Sequence, residues 1–386
     1  MAADESVYIA GAFEHPTRDA PDKSTMQLHA EVARGALEDA GLEKDDVDGL
    51  LTAGVPWGGS GLPPLIMADY LGLDVSFADT TDWGGSSYVG HVGHARDAIR
   101  NGRCDVALVT LAGRPRSDPR SDDFQSYQDE FERPYGSVTL GRYAVAAQRH
   151  MHEYGTTPEQ LAEIRVAASQ HAQHNEDALF QDPVTVEDVV ESRMVADPLH
   201  LMDCCVVTDG GGALLLVSED VRADLERECV EVLGYGEAIG HLDGGRIDLT
   251  HTAAVDSGPM AFDDAGIDHD DIDYASIYDS FTITVLQTLE DLGFCEKGEG
   301  GEFVEGGTLQ APHGDLPFNT DGGGLCNNHP ANRGGMTKVI EAVRQLRGEA
   351  NDPVQVDADI AIAHGTGGSL GTRHGSITAV LGGEDR

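Results

Sequence analysis

The chain is nearly devoid of lysine. Of 386 residues only four are Lys (Lys23, Lys44, Lys297, Lys338), and 25 Lys+Arg face 68 Asp+Glu for a formal charge of -43. Such a surface repels polyanions, which excludes a general nucleic-acid binder and disfavours anionic membranes. Cysteine is sparse: Cys104, Cys204, Cys205, Cys229, Cys295 and Cys326 form no CxxC pair, which argues against a structural zinc site and a disulfide scaffold. No apolar run approaches the roughly 18 residues that a membrane span needs. Residues 1–6 show neither the basic nor the apolar stretch of a signal peptide, so a cytoplasmic protein is expected. What is present is patterned hydrophobicity, 40% of residues, enough to bury a core despite the acidity. An acidic surface almost without Lys suits molar salt, where the Debye length falls to about 3 Å and self-repulsion is screened. A high-salt cytosol of haloarchaeal type is expected.

An internal repeat organises the chain. Residues 36–48 read ALEDAGLEKDDVD and residues 261–273 read AFDDAGIDHDDID; each is a helix end, an Ala-Gly stop, an acidic turn and then an apolar strand. A second echo follows in the same order: residues 94–113 and 339–365 both run helix, Asn-Gly or Arg-Gly, then a buried strand (DVALVTLAG; ADIAIAHG). Two ordered echoes imply a duplicated α/β unit. Short apolar strands alternating with amphipathic helices predict a largely parallel buried sheet with helical layers. Strands are expected at 7–12, 75–79, 105–112 and 209–217, and helices at 25–40, 86–101 and 144–176. Residues 114–135, charged and aromatic without period, read as a surface excursion. The halves are expected to be 1–225 and 226–386, divided near the acidic run SEDVRADLERE.

Four places hold residues suited to chemistry. Gly84-Gly85-Ser86-Ser87 opens a helix; each serine is either a cap or a hydroxyl facing a ligand held by free helix N–H groups. Residues 319–330, NTDGGGLCNNHP, form a ligand-approach loop in which His329 is a candidate general base or a structural loop histidine. HGTGG at 364–368 releases His364 from a strand end, where ligand sites of α/β sheets gather. Tyr278 in YDSF stands at another strand end, either a proton donor or a packed aromatic.

Taken together these pieces resemble the thiolase superfamily, in particular its lipid-transfer or sterol-carrier branch. The resemblance spans almost the whole chain. VYIAGAFEHPTRD looks like the first strand, GGSSYVGHVGHARDAIRNGRCDVALVTLAG the nucleophile helix and its strand, and DCCVVTDGGGALLLV the end of the first half. YDSF, NTDGGGLCNNHP and HGTGG occupy the places of the family's three later active-site loops. The implied fold is a five-layer α-β-α-β-α sandwich of two duplicated halves.

The departures bear on the reaction. A gapless match puts Gly85 at the family's nucleophilic Cys, with Ser86 and Ser87 beside it; His364 stands at the second Cys, and His329 is kept. The set Ser86, His329, His364 is similar to the large subunit of haloarchaeal two-subunit β-ketothiolases. It implies acyl transfer through a Ser86 acyl-enzyme, with His329 as its base and His364 handling the α-carbon proton. Ser87 is a second candidate nucleophile. Gly85, Gly323, Gly324, Asn328 and Gly367 are implied to line the substrate site. A rival within the same fold is a CoA-thioester aldolase that uses Tyr278 and no acyl-enzyme, leaving Ser86 a cap; a non-catalytic acyl-CoA or lipid-binding subunit is the third. The resemblance implies a coenzyme A thioester as substrate, no metal, and no further cofactor. It also implies a homodimer joined by a small OB-fold and zinc-ribbon partner. Arg114, Arg116 and Arg120 are candidates for the CoA phosphates, or plain surface arginines.

Overall fold

The computed structural model describes residues 5–53, 62–118, 138–240, 248–330, 334–370 and 372–384. In chain order the elements are β1 (Val7–Glu14), α1 (Thr25–Ala40), β2 (Gly49–Thr52), α2 (Pro63–Leu71), β3 (Phe77–Asp79), α3 (Ser87–Arg100), β4 (Val106–Gly113), α4 (Thr139–Tyr154) and α5 (Pro158–Ala172). A small ribbon of β5 (Met194–Ala196) and β6 (Leu199–His200) precedes β7 (Gly210–Ser218). Then come β8 (Val230–Gly240), α6 (Ala254–Ala265), β9 (Tyr274–Ile277), α7 (Thr282–Asp291), α8 (Gly334–Leu346), β10 (Ile360–Ser369) and β11 (Thr372–Gly382).

Among the described residues nine strands run in the order β3-β2-β4-β7-β1-β8-β11-β10-β9. The two wings follow one plan. β2 is parallel to β4 as β9 is to β10; β4, β7 and β1 are successively antiparallel, as are β10, β11 and β8. The wings meet through only two residue pairs, Tyr8↔Glu231 and Ile9↔Val230. Helices α3 and α8 pack on each other between the wings, and each touches strands of both. Helix α1 covers the outer face of β1, β7 and β4, and α6 that of β8 and β11. This is the five-layer duplicated sandwich expected from the sequence, but the sheet is not largely parallel as expected: five of its eight strand pairings are antiparallel, because β1, β7, β8 and β11 each run against their neighbours.

Local chemistry explains the matched halves. Ser24 accepts the Gln27 N–H in a capping box at the start of α1, and Gly41 ends it in the left-handed region (φ 71°). Gly266 ends α6 the same way (φ 70°), and the acidic turns at Lys44–Asp46 and His269–Asp271 repeat as one-turn 3-10 helices. Buried Val89, Val92 and Ile99 of α3 meet Val339, Ile340 and Val343 of α8 in the core. Each such side chain contributes about 1.5–3 kcal/mol, so the central layer is fixed by packing and the helix starts inherit its precision.

One expected element divides. The helix predicted over 144–176 is two helices, because Gly155 turns left-handed (φ 81°) and Thr157 then caps a new helix with Pro158 in its first turn. Of the surface excursion at 114–135, residues 119–135, including Arg120, lie outside the described residues.

Candidate active site

The strand β9 delivers Tyr278. Beyond Ile277 the chain stays beside β10, with the Tyr278 N–H donating to the His364 carbonyl at 3.0 Å. Asn319 acts as a strand neighbour on the other side: its Oδ1 accepts the Ile277 N–H at 2.9 Å and its Nδ2 donates to the Ile277 carbonyl at 2.8 Å. Asn319 adopts φ 41° to do so, a conformation Asn tolerates better than most residues. The Tyr278 hydroxyl therefore has a fixed position, 2.8 Å from His329 Nε2, with the two rings edge to face. The His329 backbone is held in turn by Thr208 Oγ1 at 2.9 Å. Burial lowers the His329 pKa to about 4; nearby Asp279 opposes the shift and Lys338 adds to it. At neutral pH the imidazole is uncharged and its Nε2 faces a phenol.

Two helix starts converge on this pair. A Cβ placed on Gly85 falls 2.4 Å from the Thr366 carbonyl oxygen and 2.6 Å from Tyr278 Cζ, so the tyrosine ring fills the space where any larger residue at position 85 would project. A Cβ on Gly334 falls 2.9 Å from His329 Cδ2 and 3.3 Å from Tyr278 Cε2, and one on Gly335 strikes the Gly85 carbonyl. Glycine at all three positions lets the first turns of α3 and α8 close on the tyrosine–histidine pair.

The structure brings Tyr278 to His329 and directs the serines and His364 elsewhere. Ser86 is fully buried; its Oγ donates to the Trp83 carbonyl at 3.0 Å and sits against the glycines of β10 and β11. Ser87 is tied to the turn before α3: its Oγ accepts the Trp83 N–H at 2.7 Å and donates to the Gly84 carbonyl at 2.8 Å. His364 lies on the opposite face of β10. A Cβ on Gly365 would meet Ser86 and Val89 of the central layer, so by strand alternation His364 points to the outer layer. There its Nδ1 bonds Thr378 Oγ1 at 2.9 Å, and Thr378 also bonds Ser257 of α6. Burial carries its pKa down to about 3. The expected triad of Ser86, His329 and His364 is therefore not assembled: strand parity and the bond of the Ser86 hydroxyl back to the Trp83 carbonyl separate its members.

The residues expected to line the substrate serve packing. Gly323 (φ 61°) and Gly324 make room for the Asp279 carboxylate, which accepts the Gly324 and Leu325 N–H groups at 2.8 and 3.1 Å. Asn328 bridges Glu14 and Thr208, both at 2.7 Å. A Cβ on Gly367 would overlap the Trp83 carbonyl. Arg114 donates to the Ala20 and Pro21 carbonyls, while Arg116 lies near Asp19. Sequence reasoning missed Asp279 and Lys338, a buried pair with Nζ 3.1 Å from Oδ1 whose charges both act on His329. The available signal was a lysine inside an apolar helix of a chain that has four.

A two-wing sandwich with its polar pair at the starts of the two central helices is the architecture of thiolase-type enzymes. Family models agree: a "Thiolase, N-terminal domain" matches residues 7–220 and a "Thiolase C-terminal domain-like" matches residues 236–382. The chain belongs to the thiolase superfamily, in its lipid-transfer and sterol-carrier branch. It is 35% identical to an acetyl-CoA acetyltransferase of Methanothermobacter thermautotrophicus, over 95% of this chain and 97% of that one. It is 34% identical to a steroid side-chain-cleaving aldolase of Thermomonospora curvata, over 89% and 91%. Among solved structures it superposes on an Ltp2-ChsH2(DUF35) aldolase with a TM-score of 0.88 at 31% identity, covering 99% of this chain and 98% of that one. The chemistry is thus of thiolase type, on coenzyme A thioesters. Among the described residues no helix is long and apolar enough to cross a membrane.

Proposed function

We infer that the protein is a CoA-thioester aldolase, cleaving a β-hydroxyacyl-CoA to an acyl-CoA and an aldehyde or ketone without an acyl-enzyme. The observation that carries this reading is the packing of Tyr278 on Gly85, with its hydroxyl 2.8 Å from His329 Nε2. A nucleophile at position 85 has no room, and the adjacent serine is committed to the Trp83 carbonyl.

The reaction balances as proton and electron-pair movement alone. The substrate's C3 hydroxyl gives its proton to the Tyr278 oxygen as the phenol proton passes to His329 Nε2. The C3 oxygen forms a carbonyl, the C2–C3 bond breaks, and its electron pair moves to C2 as the thioester enolate. The proton held by Tyr278 and His329 then returns to C2, releasing acyl-CoA. The neutral, desolvated imidazole suits the acceptor role. The reverse sequence is an aldol addition by the same groups.

The aldolase relative and neighbour favour this reading over acyl transfer, the reading that the acetyltransferase relative would favour. The neighbour's pairing of Ltp2 with ChsH2 supports a small partner subunit for this chain as well. The strand β3, with β2 as its one partner among the described residues, is an edge on which a second copy can pair to give the expected homodimer. The charge of -43 supports a working environment of molar salt.

The test is product analysis in molar KCl, with the chain alone and with its co-expressed partner, given a β-hydroxyacyl-CoA or acetoacetyl-CoA. Equimolar acyl-CoA and carbonyl product, with the peptide bearing Ser86 and Ser87 unmodified, is expected. An acetyl adduct on that peptide, discharged by CoA, overturns the aldolase in favour of the ketothiolase.

A further inference from the structure

Lys338 is a buried cation without an evident structural need. It lies on α8, 1% exposed, in a chain where lysine is otherwise almost absent. Its Nζ is 3.1 Å from Asp279 Oδ1, and no other carboxylate among the described residues lies within ion-pair distance of it. Burying this pair costs several kcal/mol of desolvation per ion, and well-packed apolar side chains of equal volume commonly serve stability as well or better. Its presence there points to the neighbouring site.

The geometry ties it there on two sides. Asp279 follows Tyr278 in sequence, and its carboxylate also holds the Gly324 and Leu325 N–H groups. A Cβ on Gly324 would stand 2.9 Å from Asp279 Oδ1 and 3.0 Å from His329 Cδ2, so the loop that Asp279 grips is the wall on which the imidazole rests. On the other side, Gly334, one helical turn before Lys338, lies against both His329 and Tyr278. The ion pair thus couples the chain that follows Tyr278, the loop that carries His329, and the start of α8.

Resting on the aldolase reading, we propose that Lys338 is a positioning residue, whose ammonium, locked to Asp279, offsets that carboxylate's charge beside His329 and so extends toward acid pH the range in which the imidazole accepts the Tyr278 proton. The charged groups that act on His329 are Asp279, which favours protonation, and Lys338, which opposes it. Those acting on Lys338 are Asp279, Asp321 and Glu14, which keep it protonated despite burial.

The experiment is a pH titration of His329, assigned by its loss in His329→Gln, by NMR of histidine-labelled protein in molar KCl, alongside the pH profile of kcat/KM for retro-aldol cleavage. In Lys338→Met the His329 titration is expected to move up by about one pH unit, the size of a single charge removed at such range in an effective dielectric near 20. The acid limb of kcat/KM should move with it, while Lys338→Arg keeps the limb at its wild-type position. If Lys338→Met does not fold, the same step is read from Asp279→Asn to the double variant Asp279→Asn/Lys338→Met, in which no carboxylate is left unpaired by the lysine's loss. A folded variant with an unmoved His329 titration in either background overturns the proposal. Wild-type protein that cleaves no β-hydroxyacyl-CoA overturns the aldolase reading instead, and the NMR shift is still read independently of turnover.

Discussion

Replacing Tyr278 with phenylalanine isolates one oxygen atom. The ring stays in place against Gly85, so packing at the junction of the two helix starts is preserved. What is lost is the 2.8 Å hydrogen bond to His329 Nε2 and, on the aldolase reading, the group that takes the substrate's proton. Removing a positioned acid–base group typically lowers rates by about a hundredfold to ten-thousandfold, which is about 2.7–5.5 kcal/mol of barrier. The fold suffers less: His329 Nε2 loses its partner in a buried setting, a cost of about 1–3 kcal/mol. The assay is kcat/KM for β-hydroxyacyl-CoA cleavage, with thermal unfolding of the same samples. The expected result is a large loss of kcat/KM in a protein with only a modestly lowered Tm, while Ser86→Ala keeps most of its activity. A Tyr278→Phe enzyme with wild-type kcat/KM, or a Ser86→Ala enzyme that is inactive though folded, refutes the reasoning.

Gly85→Ala is expected to destabilise by about 1–3 kcal/mol through overpacking and to abolish most activity by displacing the Tyr278 ring; urea unfolding should show part of the stability restored in Gly85→Ala/Tyr278→Ala. His94 bonds Asp79 at 2.7 Å and Glu237 at 3.1 Å, which raises its pKa to about 9. Its contribution to stability is full below about pH 6.5 and lost as pH rises through 9, so the Tm gap between wild type and His94→Gln should shrink over that interval. An unchanged gap would count against the cluster's charge. Tm should climb from tens of millimolar to molar KCl as 68 carboxylates are screened, and a flat response would remove the high-salt assignment.

The duplicated architecture was legible because its signals are local. The Ala-Gly stops at Gly41 and Gly266 and the acidic turns after them are short-range stereochemistry, and both repeats use them identically. The expected helix of α1 coincides with the observed Thr25–Ala40. The break at Gly155-Thr156-Thr157-Pro158 was local too, but the apolar periodicity on either side masked it. The candidate site was only half legible. His329 and Tyr278 lie in loops at strand ends, where sequence position nearly determines location. His364 was misplaced by one residue's worth of strand parity, since the sequence does not show which face of β10 meets the central helices. Ser86 could not be told from a cap, because that depends on the Trp83 carbonyl and on glycines of two distant strands. The Asp279–Lys338 pair joins residues 59 positions apart and has no sequence pattern of its own.

The fit of Tyr278 onto Gly85 has an evolutionary consequence. The two positions exclude one another's alternatives: a side chain at 85 needs the aromatic ring at 278 gone, and the ring needs 85 bare. A lineage that has accepted the ring cannot regain a nucleophile by one substitution, because the single step collides with Tyr278 before any thiol is usefully exposed. The change behaves as a ratchet. Relatives should sort into two populations by this pair of positions, with the doubly bulky combination missing. Reading the two residues together is therefore expected to classify sequences of this superfamily, and an alignment that contains the doubly bulky pair would refute the exclusion.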